Sequence, residues 1–187
     1  MESRRITVGD RVWTVRVGGN ESRHHVVLLP ASGDPADVYD EVCARLQTSD
    51  LRTIVIETGE GLDTTAVFAI LDELRVPWAN LVGCGTGAAL AWQLAARGFG
   101  RFMSLIAAGI GHPATPGADG SIADASCPPV EIPTTLLATK QLPKAVAEAS
   151  GRHVYGEFRL VAVDVADVPA EAGSELATEI VLRTSFW

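Results

Sequence analysis

Apolar and polar side chains alternate along the opening residues, which is the pattern of β-strands with one buried face. Ile6 and Val8 precede Gly9-Asp10, and the alternation resumes after that dipeptide until Gly18-Gly19. A glycine beside an aspartate between two such runs is a common hairpin turn. The pattern therefore predicts a β-hairpin at the start of the chain.

The remaining chain is divided between short apolar runs and segments whose apolar residues recur three or four positions apart. The first kind is typical of strands buried on both faces, and the second of helices with one buried face. Strands are expected over 25–29, 53–56, 80–83, 101–107, 134–138 and 158–163. Helices are expected over 36–46, 64–74, 88–97, 143–149 and 170–183.

Strands and helices follow each other in regular alternation, which favours right-handed crossovers and a parallel sheet. Residues 109–131 interrupt this order, because they are rich in Gly, Pro, Ala and Asp and have no helical period. We expect a long surface loop there. The chain has no internal repeat or linker composition, so we expect one α/β domain over residues 1–187.

A glycine-rich stretch, NLVGCGTGAAL over residues 80–90, links an expected strand to an expected helix. Methyltransferases that bind S-adenosylmethionine have such a loop after their first strand, and α/β-hydrolases have Gly-x-Ser-x-Gly at a strand-to-helix turn. The methyltransferase loop needs an acidic residue where this chain has Leu81, and another after the next strand, which is missing. A hairpin and two strand–helix units also come first. A nucleophile turn is therefore favoured, and the methyltransferase stays an alternative.

The chain resembles the α/β-hydrolase family in the order of its motifs. The matching segments, from the first strand to the final helix, are ITVGDRVWTVRVGG, VVLLPASGDPADVYDEVCARL, TIVIETGEG, LVGCGTGAALAWQLAARG, FMSLIAAG, IPTTLLATKQLP and FRLVAVDVADVPAEAGSELATEIV. The second of them is similar to the loop that supplies an oxyanion-hole amide. The resemblance implies a three-layer α/β-hydrolase fold, with a mostly parallel eight-stranded sheet, an antiparallel second strand and helices on both faces.

The departures from the family concern its catalytic positions. Gly85 stands where the family has its nucleophilic serine. The acid that follows the seventh strand has no counterpart in 138–142, and Asp167 stands where the histidine would follow the eighth strand. Because the three side chains work as a unit, we expect no catalytic residue of that mechanism. The family's helical lid would follow the sixth strand, where this chain has the loop over 109–131, so we expect no lid domain.

Glycine at position 85 is compatible with retention of the turn. The nucleophile position usually has positive φ, which costs about 1–3 kcal/mol for a residue with a side chain. Glycine adopts that backbone without a Cβ clash. We therefore predict a positive φ at Gly85, at the end of a strand in the centre of the sheet.

The expected function is non-hydrolytic binding of a small molecule or a protein partner at the former active site. Ser32, Gly85, Thr86 and His112 are the candidates for lining that pocket, because ligands bind at the carboxyl edge of parallel strands. The alternative is an atypical hydrolase or acyltransferase that uses Cys84 or His112. The competing structural interpretation is a buried thiol at Cys84 and a loop histidine without chemistry at His112.

Composition and charge limit the kinds of partner that we expect the chain to bind. The net charge is −8 without a cluster of Lys or Arg, so we expect no nucleic acid. No apolar run reaches the ~20 residues that span a bilayer, so we expect no membrane. Cys43, Cys84 and Cys127 are widely spaced, which fits a reducing cytoplasm. We expect no cofactor and no metal, and a small-molecule ligand, a homo-oligomer or a protein partner.

Overall fold

The computed structural model describes residues 1–35 and 37–184. The strands are β1 Glu2–Val8, β2 Arg11–Gly18, β3 His25–Leu29, β4 Arg52–Ile56, β5 Ala79–Cys84, β6 Phe102–Ala108, β7 Thr134–Ala138 and β8 Phe158–Ala162. The helices are α1 Asp40–Thr48, α2 Thr64–Glu73, α3 Thr86–Arg97, α4 Lys144–Ser150, α5 Val168–Glu171 and α6 Gly173–Thr184, with a 3-10 helix over Gly151–His153.

All eight strands form one sheet in the order β1-β2-β4-β3-β5-β6-β7-β8. β2 is antiparallel to both of its neighbours, β1 and β4, and the other neighbouring pairs are parallel. The expected mostly parallel sheet of eight strands is therefore confirmed. β5 lies in its interior, so the turn after β5 is at the centre of the carboxyl edge of the parallel strands.

Strand alternation divides the core into two layers, one on each face of the sheet. Val27 and Leu29 of β3 pack in the cluster that contains the buried faces of α2, α3 and α4. Val26 and Leu28 pack in the cluster that contains those of α1, α5 and α6. The three-layer architecture with helices on both faces is thus confirmed.

Two expected helices differ from the structure by more than a shift of one or two residues at an end. The helix predicted over 36–46 begins at Asp40; residue 36 lies outside the described residues, and residues 37–39 form turns. The side chain of Tyr39 is fully buried and its hydroxyl donates to the Leu29 carbonyl oxygen, which holds the chain in this turn. The helix predicted over 170–183 is divided into α5 and α6, because the backbone at Ala172 leaves the helical conformation.

The segment between β6 and β7 consists of turns and bends and contains no helix, all of its residues being described. It is anchored to α3 through Asp124, whose Oδ2 accepts from Gln93 Nε2 (3.0 Å) and from an Arg97 guanidinium nitrogen (3.2 Å). Trp92 Nε1 donates to the Ile110 carbonyl oxygen (2.9 Å) at the start of the segment. The expected loop at the place of a lid is therefore fixed against the domain. Across the described chain, the helices are too short or too polar to cross a bilayer.

Candidate functional site

The strand-to-helix turn after β5 is built around Gly85. Its φ is +53° and its ψ is −129°, and α3 begins at the next residue. Its backbone N–H donates to the Ala108 carbonyl oxygen (3.0 Å), and its carbonyl accepts from the Ala88 N–H (2.9 Å). The predicted positive φ of Gly85 is confirmed. A glycine occupies this conformation without the strain that a side chain would add.

The loop between β3 and α1 lies directly against this turn. Ala31 Cβ is 2.9 Å from the position that a Cβ on residue 85 would take. Two backbone amides of the loop already have side-chain acceptors: the Ala31 N–H donates to Asp34 Oδ2 (2.9 Å), and the Ser32 N–H donates to Thr86 Oγ1 (2.6 Å). The loop therefore occupies part of the space over Gly85 with its own atoms.

A cavity of about 360 Å³ opens beside Gly85, and we call it the Gly85 cavity. It lies where the ends of β3, β5, β6, β7 and β8 meet, as expected for a ligand site in a parallel sheet. Its lining residues are Ala31, Asp34, Cys84, Gly85, Thr86, Ala108, Gly109, Ile110, Thr139, Gln141, Ala166, Asp167, Val168 and Pro169. The walls are mixed, with small apolar side chains, two carboxylates, two hydroxyls and an amide.

The four predicted pocket residues are only partly brought together. Gly85 and Thr86 line the Gly85 cavity, and Ser32 touches Thr86 through its amide without lining the cavity. His112 lies in the wall of a neighbouring cavity of about 290 Å³, under the segment between β6 and β7. His112 therefore lines the neighbouring cavity, which shares Gly109, Ile110 and Gln141 with the Gly85 cavity. Whether these residues bind a ligand stays a prediction.

His112 is held by ring contacts and hydrogen bonds, which explain its position. Its ring is stacked on His153, with centroids 4.6 Å apart, and it meets the Trp92 ring edge to face. Nδ1 accepts from the Ala114 N–H (3.2 Å), and Nε2 lies 3.0 Å from the Pro128 carbonyl oxygen, to which the neutral ring donates. Burial lowers the pKa of His112 to about 4. The ring is thus neutral near pH 7 with both nitrogens already bonded, and it has no lone pair to offer a substrate.

Cys84 ends β5 immediately before the turn and is 4 % exposed. Burial raises the pKa of its thiol to about 12, and the Tyr39 hydroxyl beside it offsets part of that effect. The thiolate is the nucleophilic form of cysteine. A thiol with such a pKa is almost entirely protonated near pH 7, which favours a structural role for Cys84.

Thiol labelling tests this assignment. Burial also raises the pKa of Cys43 to about 11 and raises that of Cys127. We expect none of the three thiols to react with a disulfide reagent in native protein at pH 7 within minutes, and all three to react after unfolding in guanidinium chloride. Rapid and selective modification of Cys84 in native protein, located by mass spectrometry, would contradict the structural assignment.

The side chains after β7 and β8 are engaged in contacts with nearby residues. Thr139 Oγ1 accepts from the Gln141 N–H (3.3 Å). Asp167 caps α5, its Oδ1 accepting from the Ala170 N–H (3.4 Å). Lys140 forms an ion pair with Asp164 (3.6 Å), not with Asp167. These side chains therefore make local contacts, and Thr139 and Asp167 among them also line the cavity.

Sequence reasoning missed part of the cavity wall. Asp34, Thr139 and Gln141 line the cavity but were not among the residues predicted for it. Their position could have been inferred, because all three lie within five residues after the carboxyl ends of strands that share one edge of the sheet. No pattern in the sequence predicted the second cavity, which His112 lines.

Comparisons with known proteins identify the fold. No family model and no curated protein matches the chain. Among solved structures, an α/β hydrolase enzyme from a Medee basin deep-sea metagenome library is 11% identical, with 98% of each chain covered and a TM-score of 0.81. The enol-lactonase from Burkholderia xenovorans LB400 is 14% identical, with 97% of this chain and 100% of that chain covered and a TM-score of 0.79.

An epoxide hydrolase from Vigna radiata is 11% identical, with 100% of this chain and 98% of that chain covered and a TM-score of 0.79. With similarity over nearly the whole length of each chain, the protein has the α/β-hydrolase fold. The glycine loop follows β5, whereas the methyltransferase alternative requires it after the first strand.

Proposed function

We propose that this chain is a non-hydrolytic protein of the α/β-hydrolase fold that binds a small molecule in the Gly85 cavity. The state of the nucleophile position carries the proposal. Gly85 has no side chain, and Ala31 Cβ lies 2.9 Å from where a Cβ would be. A serine at this position would meet both backbone strain and a steric contact with the loop after β3.

Two backbone amides of the loop after β3 also support a non-hydrolytic role. Hydrolysis of an ester passes through a tetrahedral oxyanion, which preorganised N–H groups must stabilise. The Ala31 and Ser32 amides donate instead to Asp34 and Thr86 of the same chain. An oxyanion in the cavity would have to compete with a carboxylate for one of them.

Two candidate proton acceptors for a nucleophile, His112 and Asp167, are also engaged in other contacts. His112 lies in the wall of the second cavity with both ring nitrogens engaged, and Asp167 caps α5 at the position after β8. Cys84 has a pKa of about 12 because it is buried. These features oppose the atypical hydrolase or acyltransferase that Cys84 or His112 would serve.

The Gly85 cavity could instead be covered by a neighbouring chain, as a homo-oligomer or a complex with a protein partner. About 360 Å³ is within the range of small-molecule sites and has polar groups that converge on it, which favours the small molecule. Sedimentation measurements distinguish a small-molecule site from an interface with a neighbouring chain. For a small-molecule site, we expect substitutions at Thr86 and Gln141 to leave the oligomeric state unchanged.

Ester turnover is the direct test of the non-hydrolytic proposal. We expect purified protein to hydrolyse p-nitrophenyl acetate and butyrate at the rate of the buffer, because loss of a complete triad costs about a millionfold in kcat. Gly85→Ser should have no more activity than the parent, since a serine there has no histidine to remove its proton. Initial rates over a range of ester concentrations would measure both.

Saturable turnover that Cys84→Ala abolishes would replace the proposal by an enzyme with a displaced nucleophile. Saturable turnover that appears only in Gly85→Ser would mean that a base does reach position 85. S-adenosylmethionine binding in calorimetry would restore the methyltransferase alternative.

A further inference from the structure

A groove of about 430 Å³ lies at the amino edge of the parallel strands, on the opposite edge of the sheet from the Gly85 cavity. It runs between the end of α3, the start of β6 and the residues that precede β7 and β8. Its lining is mainly apolar and includes Phe99, Phe102, Ile132 and Tyr155. We call it the Phe99 groove.

Two aromatic side chains of the Phe99 groove are left in solvent. Among residues 1–35 and 37–184, Phe99 and Tyr155 are the two most exposed large hydrophobic side chains, at 92% and 73%. Apolar side chains scattered singly over a surface are normal, but two rings that share one groove form a patch. The groove therefore has the character of a contact surface for a partner.

Backbone hydrogen bonds hold both rings in their exposed positions. Phe99 is at the corner of a turn in which the Arg101 N–H donates to the Gly98 carbonyl oxygen (3.0 Å). The Tyr155 N–H donates to the Val130 carbonyl oxygen (2.8 Å). Because the backbone that carries each ring is already fixed, less conformational entropy is lost when a partner covers the rings.

The shape and charge of this surface are self-complementary. In a two-fold dimer each patch meets a copy of itself, so a projecting group must find a recess on the same patch. Phe99 projects at the rim, and the groove beside it is the recess. The partly exposed Arg97 and Arg101 lie two positions on either side of Phe99, and Glu131 is the charged residue of the lining within the described chain. Insertion of Phe99 would bring both guanidinium groups toward Glu131 of the other copy.

The area of such a contact is sufficient for a dimer of moderate affinity. Full burial of a Phe or Tyr removes about 150–250 Å² from water, so the four rings of a dimer supply about 600–1,000 Å². The groove surface that they cover adds to this area, and specific interfaces bury about 1,200–2,000 Å² in total. A proline-rich peptide could also occupy an aromatic groove. A second copy accounts for the projecting ring and the two arginines as well, whereas a peptide accounts for the recess alone.

We propose that the chain forms a two-fold dimer through this surface, with Phe99 of each copy inserted into the Phe99 groove of the other, beside Tyr155 and Ile132. The inference goes beyond the proposed function and does not depend on it. The Gly85 cavity lies at the other edge of the sheet and stays accessible in both copies.

Sedimentation equilibrium of the full chain from about 1 to 300 µM tests the dimer. We expect a reversible monomer–dimer equilibrium with a dissociation constant on the order of 10 µM, since the interface is at the small end of the range. Phe99→Ser should weaken the dimer about a hundredfold, because both rings are lost and each buried aromatic contributes at least about tenfold. Tyr155→Ser should weaken it about tenfold.

Matched variants separate this surface from others. Ile122→Ser removes a side chain that is 47% exposed outside the groove and should leave the dissociation constant unchanged. Glu131→Lys places a cation against the arginines of the second copy and should weaken the dimer about tenfold. Glu60→Lys changes the net charge of −8 equally, from an exposed position after β4 at the opposite edge of the sheet. Both changes reduce the overall repulsion between copies, so weakening by Glu131→Lys alone reports a local contact.

A dimer that is weakened by Phe99→Ser, Tyr155→Ser and Glu131→Lys and retained in both controls supports the inference. Melting curves of the dilute variants should match the parent, because the two rings are exposed in the monomer. A parent that stays monomeric up to about 300 µM, or a dimer that Phe99→Ser and Tyr155→Ser leave unchanged, would overturn the inference. A monomer that binds a proline-rich peptide only while Phe99 is present would assign the groove to a peptide instead. Ester turnover tests the proposed function separately from all of these outcomes.

Discussion

Gly87→Ala should destabilise the protein by about 3 kcal/mol, near the upper end of the usual cost of overpacking. A Cβ at position 87 would meet the backbone carbonyl oxygens of Leu29 and Pro30. These atoms belong to the end of β3 and cannot rotate away as a side chain could. Either α3 must move off the sheet or β3 must shift. Urea unfolding would measure the loss as a lower midpoint with an unchanged slope.

Gly59→Ala is the matched control for this substitution. A Cβ at position 59 would have Trp13 Cζ3 as its nearest neighbour at 4.0 Å, and Gly59 does not have positive φ. We expect its free energy of unfolding to stay within about 0.5 kcal/mol of the parent. Equal stability of the two variants would show that α3 can be displaced from β3 at little cost.

The glycines around position 85 thus have two separate roles. A Cβ on Gly83 would lie 2.5 Å from the Gly87 carbonyl oxygen, so Gly83 and Gly87 together set the close approach of β5, β3 and α3. Gly85 alone supplies the left-handed backbone of the turn. The packing role does not depend on a side chain at position 85, which explains how the strand-to-helix turn forms with glycine there.

Those parts of the fold that depend on local pattern could be predicted from the sequence. The bounds of β3 and β7 match the apolar runs over 25–29 and 134–138, because Pro30 ends the first run and no competing period overlaps either. The start of α1 was placed too early. Apolar spacing continues through Val38, but burial of the Tyr39 side chain keeps the preceding residues in turns.

The candidate site was only partly predictable, because some of its contacts join residues that are distant in the sequence. The φ of Gly85 follows from the strand-to-helix turn itself and could be predicted. The place of His112 depends on a ring from the 3-10 helix, His153, and on the Pro128 carbonyl, both distant in sequence. Its chain neighbours Gly111 and Pro113 gave no indication of those contacts. Non-local packing of this kind has no period or spacing in the sequence.

The buried His112 should also make the protein acid-sensitive. Its pKa is lowered from the ordinary value of 6.5 to about 4, chiefly by burial. The unfolded chain therefore binds one more proton than the folded protein between these two values, and stability that is complete above pH 6.5 is lost as the pH falls toward 4. A shift of this size corresponds to about 3 kcal/mol. Protonation would also remove the acceptor for the Ala114 N–H and place a cation against His153.

Urea unfolding of the parent and of His112→Gln from pH 7 to pH 4 would measure this contribution. Glutamine offers a donor to the Pro128 carbonyl and cannot be protonated, so most of the slope between pH 6.5 and 4 should disappear in the variant. The partly buried His25, whose pKa is lowered mainly by burial, contributes with the same sign and remains in both proteins. His25→Gln in each background removes that contribution. Identical pH slopes for the parent and His112→Gln would mean that His112 is solvated enough to titrate near 6.5, and that the segment between β6 and β7 opens in solution.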